Sequence, residues 1–430
     1  MARVKVLISG GGIAGNALAF WLSKVGHSVT VVERFPRLRA SGLQVDLRGH
    51  GIDVLRRMGL EQTFRAKAVR EQGIQMVDRS GKRWAYLRVN RSGKGLQSFS
   101  SDFEIMRGDL CRILYDATKD DARYIFGTSI ESFEEKYDAV EVLFADGEKD
   151  RFDLLIGADG QGSHTRRKML GPETDDGFRP LGGLYIGYFT AHRPIQESEE
   201  YIATSYNAPG RRFILTRRHS QNMVQVYLAC NSDSDRLLKA HSSGIRAEKD
   251  AMADVFRGAG WQTHQILQWL EEADDFYLER MGIVKLNSWS CGRIALTGDA
   301  AYCPSASTGM GTTSAIVGAY VLAGEIARHC GSPGTEGTDG KGMRAEDGVA
   351  LALKAYEQKF RPFMDRVQRG LENPGRWSML PSTSIGVTMM NSVFAMASYL
   401  GVNAFGEWGL REDVGGWVLP EYEEMVQGRG

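Results

Sequence analysis

The chain has 430 residues, of which 42% are hydrophobic, so it is long enough to bury a large core and to form two or three domains. Its 53 lysines and arginines balance 53 aspartates and glutamates, which argues against nucleic acid or an anionic membrane as a partner. The five cysteines are scattered, without a CxxC pair or histidines at metal-ligand spacing. We therefore expect a cytoplasmic protein with reduced thiols and no bound metal. The first apolar stretch runs directly into a glycine turn, so we expect no signal peptide.

That glycine turn, GGGIAG at residues 10–15, lies between a predicted buried strand and a predicted helix that starts at Ala14. In a dinucleotide-binding unit, Gly10 permits the tight turn and Gly12 lets the backbone approach a pyrophosphate. Gly15 lets the helix pack closely on the strand. The amides and dipole of the helix then favour the negative charge of the phosphates. The turn therefore predicts a dinucleotide site.

Glu33 ends the second predicted strand, residues 28–32, about twenty residues after the turn. A carboxylate at this point accepts hydrogen bonds from both ribose hydroxyls and disfavours a 2′-phosphate. An NADP-binding first unit is therefore not expected, but the motif does not distinguish FAD from NAD.

A second glycine motif, Gly298-Asp299, follows the apolar segment 293–297. After it come Pro304 and the sequence Gly309-Met310-Gly311, which opens an apolar helix. Small residues at a helix N-terminus allow a planar ligand to lie against backbone amides. Together the two glycine motifs predict two strand ends that converge on one flavin dinucleotide.

The middle of the chain changes character. Four short aromatic and β-branched segments predict an antiparallel meander rather than further βαβ units, at 183–190, 201–206, 212–216 and 223–229. A helical stretch over 245–272 and a strand over 276–286 are expected next. Residues 331–348, rich in glycine and acid, predict a mobile surface loop. The charge-free segment 384–405 predicts a buried or bridging helix rather than membrane contact.

With these motifs in order, the chain resembles the class A flavin monooxygenases, which have the p-hydroxybenzoate hydroxylase fold. The resemblance covers residues 3 to about 330. It rests on four matches: the first glycine turn with Glu33-Arg34, the Arg107 segment, Asp159-Gly160, and Gly298-Asp299 with its continuation. Within the family, the stretch 39–48 looks most like the tetracycline-inactivating hydroxylases, which also place an arginine seven residues before an aspartate.

The resemblance implies a set of site roles. Glu33 and Arg34 would hold the adenosine ribose, and Arg107 would lie on the ribityl–phosphate side. Asp46, with Arg48 just after it, would lie near the flavin, and Arg39 near the path of the nicotinamide cofactor. Asp159 would help both FAD and NAD(P)H, and Asp299 would bind the ribityl chain or pyrophosphate. Pro304 and the loop Gly309-Met310-Gly311 would face the isoalloxazine ring, although Thr312 and Thr313 stand where many members carry asparagine.

The resemblance also implies an α/β fold: a Rossmann-type, glutathione-reductase-like FAD domain, an inserted antiparallel-sheet substrate domain and a C-terminal helical segment. The FAD domain would comprise residues 1–72, 102–178 and 289–330, and the substrate domain residues 73–101 and 179–288. The flexible loop 331–348 and the bridging helices 349–430 would complete a monomer or homodimer.

The implied activity is that of an FAD-dependent monooxygenase. NADPH or NADH would act as a transient reductant, and a C4a-hydroperoxyflavin formed from O2 would insert one oxygen atom into a small phenolic or polycyclic secondary metabolite. Hydroxylation, epoxidation and Baeyer–Villiger insertion remain open, and no protein nucleophile is required. Alternatives are a halogenase of the same fold, whose Trp-x-Trp-x-Ile-Pro signature is absent, a saturase or dehydrogenase that transfers hydride, and a non-catalytic flavoprotein.

Five side chains of the predicted meander are candidates to line the substrate pocket: Tyr206, Arg212, Thr216, Gln225 and Tyr227. Aromatic rings with a few polar groups suit a phenolic ligand. Because side chains alternate along a strand, at most half of them can point into the pocket.

Overall fold

The computed structural model describes residues 3–39, 42–89, 103–197, 199–241, 243–331, 345–373, 380–399 and 415–426. The strands are β1 (Lys5–Ser9), β2 (Ser28–Glu33), β3 (Gln44–Asp46), β4 (Gly73–Val77), β5 (Arg83–Arg88), β6 (Glu104–Met106), β7 (Arg123–Phe126), β8 (Ile130–Lys136), β9 (Ala139–Phe144), β10 (Lys149–Phe152), β11 (Leu154–Gly157), β12 (Phe178–His192), β13 (Ile202–Ala208), β14 (Arg212–Arg218), β15 (Met223–Asn231), β16 (Tyr277–Val284), β17 (Ser290–Cys291) and β18 (Ile294–Leu296). The α-helices are α1 (Ile13–Lys24), α2 (His50–Arg57), α3 (Glu61–Ala66), α4 (Arg107–Asp116), α5 (His164–Leu170), α6 (Asp235–His241), α7 (Ile245–Phe256), α8 (Thr263–Glu272), α9 (Asp299–Tyr302), α10 (Gly311–Cys330), α11 (Ala345–Gln368), α12 (Ser384–Tyr399) and α13 (Glu423–Val426).

A six-stranded sheet in the order β17–β18–β11–β1–β2–β7 carries both glycine motifs. Its strands are parallel except for β17 at one edge. The centre of β1, residues 6–8, is apolar because both faces of the sheet are covered: α1 and α10 pack on one face, and the small sheet β8–β10 packs on the other. This is the Rossmann-type architecture that the sequence predicts, and it brings the carboxyl ends of β1, β2 and β18 to one edge.

A second sheet has seven strands in the order β16–β12–β15–β14–β13–β4–β5. Its pairs are antiparallel, as predicted for the meander, except that β13 runs parallel to β4. Helices α7 and α8 bury one face of this sheet in a second apolar core. The other face meets the segment that follows β2, since Gln225 of β15 donates to the Gly42 carbonyl oxygen and the Arg39 guanidinium carbon lies 5.5 Å from the Tyr277 ring centroid. We call the region between the two sheets the cleft.

The helical stretch predicted over 245–272 is wrong in its continuity, because residues 257–262 separate α7 from α8. Gly258 has a φ of +73° and Gly260 a φ of +103°, values that a helix interior does not adopt. A Cβ on Gly260 would lie only 2.7 Å from the Tyr206 hydroxyl oxygen. The break therefore lets the chain pass close to the sheet.

The C-terminal region packs against both halves. Helix α11 lies along α10, and the side-chain amide of Gln368 donates to the carbonyl oxygens of Val284, Tyr302 and Cys303 at 3.0–3.1 Å. Helix α12 follows the edge strand β5, where the Ser398 hydroxyl donates to the Tyr86 carbonyl oxygen at 3.0 Å.

Of the two alternatives predicted for residues 384–405, a buried or a bridging helix, the buried one is wrong for α12, since its apolar side chains on one side are exposed: Ile385, Met389, Val393 and Met396. The remainder of that prediction, residues 400–405, lies outside the described residues, as do residues 332–344 of the predicted loop 331–348. The end of that loop is corrected, because residues 345–348 form the start of α11. Among the described helices, none combines the length and apolarity that a membrane crossing requires.

Candidate active site

The glycine turn after β1 packs backbone against backbone. Gly10 donates its amide to the Val32 carbonyl oxygen at 2.8 Å, and its φ is +112°. A Cβ here would lie 2.6 Å from the Ala158 carbonyl oxygen, and a Cβ on Gly15 would overlap the carbonyl oxygen of Gly10. No side chain caps α1 at Gly12. The amides of its first turn therefore remain available to an anion.

Glu33 lies above this turn at the end of β2. Its Oε2 accepts from the Gly11 amide at 2.8 Å, and its Oε1 accepts from the Phe35 amide at 3.0 Å. These bonds fix the carboxylate and leave each oxygen a further lone pair. The geometry agrees with the role of ribose acceptor that the sequence predicts.

We expect Glu33→Ala to weaken FAD binding by at least about tenfold, because one hydrogen bond to a charged acceptor contributes about 1.5–3 kcal/mol. The dissociation constant is measured by titrating apoprotein with FAD. Glu148→Ala, which removes an exposed glutamate in the turn between β9 and β10, is the matched control and should bind FAD normally. An unchanged affinity in Glu33→Ala would exclude Glu33 from the ribose site.

Arg107 begins α4 and carries its guanidinium over the glycine turn. A Cβ on Gly12 would lie 3.6 Å from its Nη2, and a Cβ on Gly42 would lie 3.1 Å from its Cδ. Its backbone amide donates to the Leu43 carbonyl oxygen at 2.7 Å, which fixes the start of the helix. Its Nη1 is buried without a hydrogen-bond partner among the described residues. Burying a cationic donor without a hydrogen-bond acceptor costs folding free energy, and a phosphate oxygen would supply the missing acceptor.

The second glycine motif touches the first. Gly298 has a φ of +62°, and a Cβ added to it would lie 2.7 Å from the Cβ of Ala14 in α1. Asp299 follows as the first residue of α9. Burial raises its pKa to about 6, while the nearby Arg107 guanidinium opposes the shift. The structure therefore brings Ala14, Gly298, Asp299 and Arg107 to one place, as the sequence predicts.

Asp159 has a different local role. Its Oδ1 accepts from the Ser163 hydroxyl at 2.5 Å, and its Oδ2 accepts from the amide and hydroxyl of Thr165 at 3.0 and 3.1 Å. These bonds organise the start of α5, as a capping residue does. Its backbone lies against Gly10. The structure thus uses the Asp159 carboxylate to hold its own loop.

Asp46 and Arg48 form a wall of the cleft. Their side chains are ion-paired, and Asp46 lies opposite Glu104 in the β3–β6 register. The Arg48 amide donates to the Thr313 hydroxyl at 2.9 Å, which attaches this wall to the N-terminus of α10. Thr313 therefore has a structural role where many family members carry asparagine. The Oδ1 of Asp46 is buried without a partner among the described residues.

Burial, together with the Glu104 charge, raises the pKa of Asp46 from 3.8 to about 7, against the opposing effect of Arg48. The folded state thus binds this proton more tightly than the unfolded state, and stability should fall as the pH rises from about 4 to 7. We expect Asp46→Asn to stabilise the apoprotein by more than about 1 kcal/mol at pH 8 and little at pH 4.

Thermal unfolding of the apoprotein at several pH values measures this effect. Asp120→Asn, at an exposed position, is the control and should follow the wild type. If Asp46→Asn also followed the wild type at every pH, the unfavourable charge would not reside at Asp46.

The loop over 304–311 buries most of its side chains. Ser305 has a φ of +67° and Gly309 a φ of +66°, on either side of a 3₁₀ turn at Ala306–Thr308. Met310 is 1% exposed and packs in the main core, and Pro304 is also buried. The Met310 side chain therefore packs in the core, and the expectation that the loop Gly309-Met310-Gly311 faces the isoalloxazine ring stays a prediction for its backbone.

The five predicted pocket residues divide between the two faces of the seven-stranded sheet. Gln225 accepts from the Gln44 amide at 3.2 Å and donates to the Gly42 carbonyl oxygen at 2.9 Å. These bonds connect the inner face of the sheet to the segment at the start of β3. Tyr227 lies on the same face and donates to the Gln225 Oε1 at 3.2 Å.

The other three residues lie on the outer face, so their assignment to the pocket is corrected. The Tyr206 hydroxyl donates to the Ala259 carbonyl oxygen at 2.7 Å, and Arg212 donates to that of Val255 at 3.0 Å. Thr216 shares the parity of Arg212 along β14. These side chains support the helices behind the sheet.

Several inner-face residues were not predicted. Arg217 forms ion pairs with Glu71 and Glu104, all three nearly fully buried, and so links the two halves of the molecule. Tyr277 and Glu279, two residues apart in β16, lie on the same face of the sheet, and Tyr277 pairs with Tyr188 of β12. The available signal was a tyrosine and a glutamate two residues apart in a predicted strand, which places both on one face.

Two predicted arginines lie at the mouth of the cleft. The Arg39 guanidinium carbon is 5.5 Å from the Tyr277 ring centroid and 5.3 Å from that of Phe35. The Arg34 guanidinium carbon also lies over the Phe35 ring, 5.2 Å from its centroid. Arg39 therefore spans the cleft from the six-stranded to the seven-stranded sheet.

The residues present fit FAD. The glycine turn, Glu33 and Arg107 provide amides, an acceptor and a cation at the spacing that an adenosine diphosphate group needs. Further along the cleft, buried polar atoms of Gln44 and Asp46 lack partners among the described residues, as expected where a polar ring edge binds.

Comparison with known proteins gives the same assignment. Residues 3–338 match a family model described as an FAD binding domain. The chain is 49% identical to the FAD-dependent monooxygenase asL4 of Sarocladium schorii over 99% of this chain and 100% of the relative. It is 42% identical to the flavin-dependent monooxygenase eupH of Phoma sp over 93% of each protein.

A solved structure, that of the tetracycline destructase Tet(51), superposes with a TM-score of 0.75 at 27% identity, covering 98% of this chain and 100% of the other. The family match, the relatives and the fold agree with the geometry of the two glycine motifs. The chain therefore belongs to the class A flavin monooxygenase family and is an FAD-dependent monooxygenase.

Proposed function

We propose that this monooxygenase takes electrons from NADPH or NADH and inserts one oxygen atom of O2 into a small phenolic or polycyclic metabolite held in the cleft. The observation that carries the proposal is the inner face of the seven-stranded sheet. It presents tyrosine rings and Gln225 directly opposite the residues that fit FAD. Aromatic walls with few polar groups are typical of a site for a planar hydroxylated ligand.

The residues of the six-stranded sheet would hold the cofactor. Glu33 would accept from the adenosine ribose, and Arg107 with the first turn of α1 would neutralise the pyrophosphate. The backbone of the loop over 304–311 would lie along the flavin, and Asp299 would accept from its ribityl chain. When bound, the flavin supplies the redox and oxygen chemistry.

The substrate side would exclude water and orient the ligand. Tyr188 stacks on Tyr277 with ring centroids 5.7 Å apart, and Tyr227 meets Tyr188 edge-on at 5.4 Å. The name of the related tetracycline destructases identifies tetracycline as their ligand, which supports a polycyclic substrate here. Arg39, at the mouth of the cleft, is placed to meet an anionic nicotinamide dinucleotide.

The test is an incubation of the holoenzyme with NADPH, ¹⁸O₂ and a panel of phenolic and polycyclic compounds, followed by mass spectrometry. A product that carries one ¹⁸O atom is the expected result. A desaturated product without added oxygen would instead establish the hydride-transfer alternative, and a chlorinated product in chloride buffer would establish a halogenase.

A further inference from the structure

Three inner-face side chains form a compact group that the cofactor site does not use, here called the Tyr–Glu cluster: Tyr188, Tyr277 and Glu279. Tyr188 in β12 lies directly opposite Tyr277 in β16, and their rings stack with an interplanar angle of 14°. The Tyr188 hydroxyl donates to the Glu279 Oε2 at 3.4 Å, and Tyr277 makes a further hydrogen bond to the same carboxyl group.

The alternation of β16 places this cluster in the cleft. Leu278 packs in the core under α7 and α8, so Tyr277 and Glu279 face the opposite side. Tyr227 touches Tyr188 edge-on on that same face. The charge of Asp299, at the carboxyl end of the six-stranded sheet, acts on both Glu279 and Tyr277. The cluster therefore lies between the substrate sheet and the cofactor residues.

Glu279 has no cationic partner there. In the part of the chain that the structure describes, none of the ion pairs includes its carboxylate. Burial, with the Asp299 charge, raises its pKa to about 7, while the two tyrosine hydroxyls and His241 oppose the shift. A carboxyl group that titrates near neutrality, between aromatic rings, is suited to share a proton with a weakly acidic hydroxyl.

The surroundings also select the class of ligand. A second carboxylate beside Glu279 would meet the negative charges of Glu279 and Asp299, whereas the nearby cation, Arg39, lies on the far side of this group against the Tyr277 ring, 5.5 Å from its centroid. A neutral aromatic hydroxyl avoids that repulsion, stacks on the tyrosines and donates to the carboxylate.

We propose that Glu279 binds the acidic hydroxyl of a phenolic or enolic substrate that lies against the rings of Tyr188 and Tyr277, and accepts its proton. The substrate O–H bond breaks, the proton passes to a Glu279 carboxylate oxygen, and the charge moves to the substrate oxygen and ring. An electron-rich ring is the form that reacts with an electrophilic oxygen donor. This assignment rests on the proposed function and names the substrate class and a catalytic residue within it.

The test uses the FAD-loaded enzyme without reductant, with 2-naphthol, its methyl ether 2-methoxynaphthalene and the carboxylate 2-naphthoate as probes. Binding is followed through the change in the visible flavin spectrum. At pH 8 we expect wild-type enzyme to bind 2-naphthol at least tenfold more tightly than either of the other compounds. Glu279→Gln should reduce the preference for 2-naphthol over its ether to less than about threefold.

The pH dependence separates this role from a structural one. In the wild type, the preference for 2-naphthol over its ether should decrease as the pH falls through about 7, because the Glu279 carboxylate becomes protonated. Tyr188→Phe removes a hydrogen bond that stabilises the ionised form, so it should move that midpoint upwards. It also provides a second test if Glu279→Gln does not fold. Glu272→Gln, at an exposed position of α8, is the control and should keep the wild-type preference.

The proposal is overturned if wild-type enzyme binds neither 2-naphthol nor 2-methoxynaphthalene, or binds both equally tightly. It is also overturned if Glu279→Gln keeps the wild-type preference for 2-naphthol. Because these titrations involve neither NADPH nor oxygen, their outcome is independent of the ¹⁸O₂ experiment. Failure of ¹⁸O incorporation with a retained naphthol preference would refute the proposed reaction and leave the hydroxyl site in place.

Discussion

Gly298→Ala is expected to destabilise the protein by about 2–5 kcal/mol and to abolish FAD retention. The new methyl group would lie 2.7 Å from the Cβ of Ala14, and overpacking of this kind costs about 1–3 kcal/mol. The φ of +62° adds about 1–2 kcal/mol for any residue with a Cβ. Chemical denaturation and the flavin content after gel filtration measure the two effects.

Two variants isolate the contact. Gly59→Ala also places a Cβ at positive φ, +74°, but meets nothing within 4 Å, so it should show the backbone cost alone and keep FAD. Ala14→Gly in the Gly298→Ala background removes the opposing methyl group and should recover part of the stability. If Gly298→Ala behaved like Gly59→Ala, the two glycine motifs would not meet as described.

Arg107→Met should raise the dissociation constant of FAD by about 100-fold or more while the protein remains folded. The guanidinium has a buried Nη1 without a partner among the described residues, and each charge-assisted bond to phosphate contributes about 1.5–3 kcal/mol. Methionine keeps the aliphatic packing against Gly42 and removes the charge. Titration of apoprotein with FAD gives the affinity, and thermal unfolding of the apoprotein reports the fold.

The control lies on the same helix. Arg112→Met removes an exposed arginine that pairs with Asp109, and it should leave FAD affinity unchanged. Arg107→Lys keeps the charge but not the planar fork, so its affinity should fall between the wild type and Arg107→Met. Tight FAD binding by Arg107→Met would place the pyrophosphate elsewhere.

The parts of the site that could be predicted from the sequence are those set by local backbone geometry. Gly10, Gly15 and Gly298 lie where an added Cβ would collide with neighbouring atoms, so the glycines in the sequence mark these close approaches. Glu33 follows from its place at the end of β2. The architecture of both sheets follows in the same way, from continuous apolar runs in one and short alternating segments in the other.

The parts that could not be predicted depend on which face of an element is covered. Period-two alternation separates Tyr206 and Arg212 from Tyr227, but it does not say which set faces the cleft. Helices α7 and α8 decide this by burying the face that carries Tyr206. The side chain of Met310 likewise packs in the core, which the two glycines beside it in the sequence do not indicate.

Glu279 and Arg217 were missed for a related reason. Each is a charged residue in a strand, and its role depends on contacts with residues from distant parts of the chain. Arg217, in the seven-stranded sheet, meets Glu104, which lies more than a hundred residues earlier in the chain and belongs to the two-stranded β3–β6 pair. No local pattern encodes such a pair. The exposed apolar side of α12 could not be predicted either, because it depends on how much of the helix the sheet strands β5 and β13 cover.

The most direct test of the central claim is the visible spectrum of the purified protein before and after anaerobic addition of NADPH or NADH, and again after air is admitted. We predict oxidised-flavin absorption bands that bleach with the nicotinamide and return in air, with release of hydrogen peroxide when no substrate is present. A colourless protein that takes up no added FAD would contradict the cofactor site built here from Glu33, Arg107 and Asp299. Bound FAD that neither nicotinamide reduces would contradict the proposed reaction.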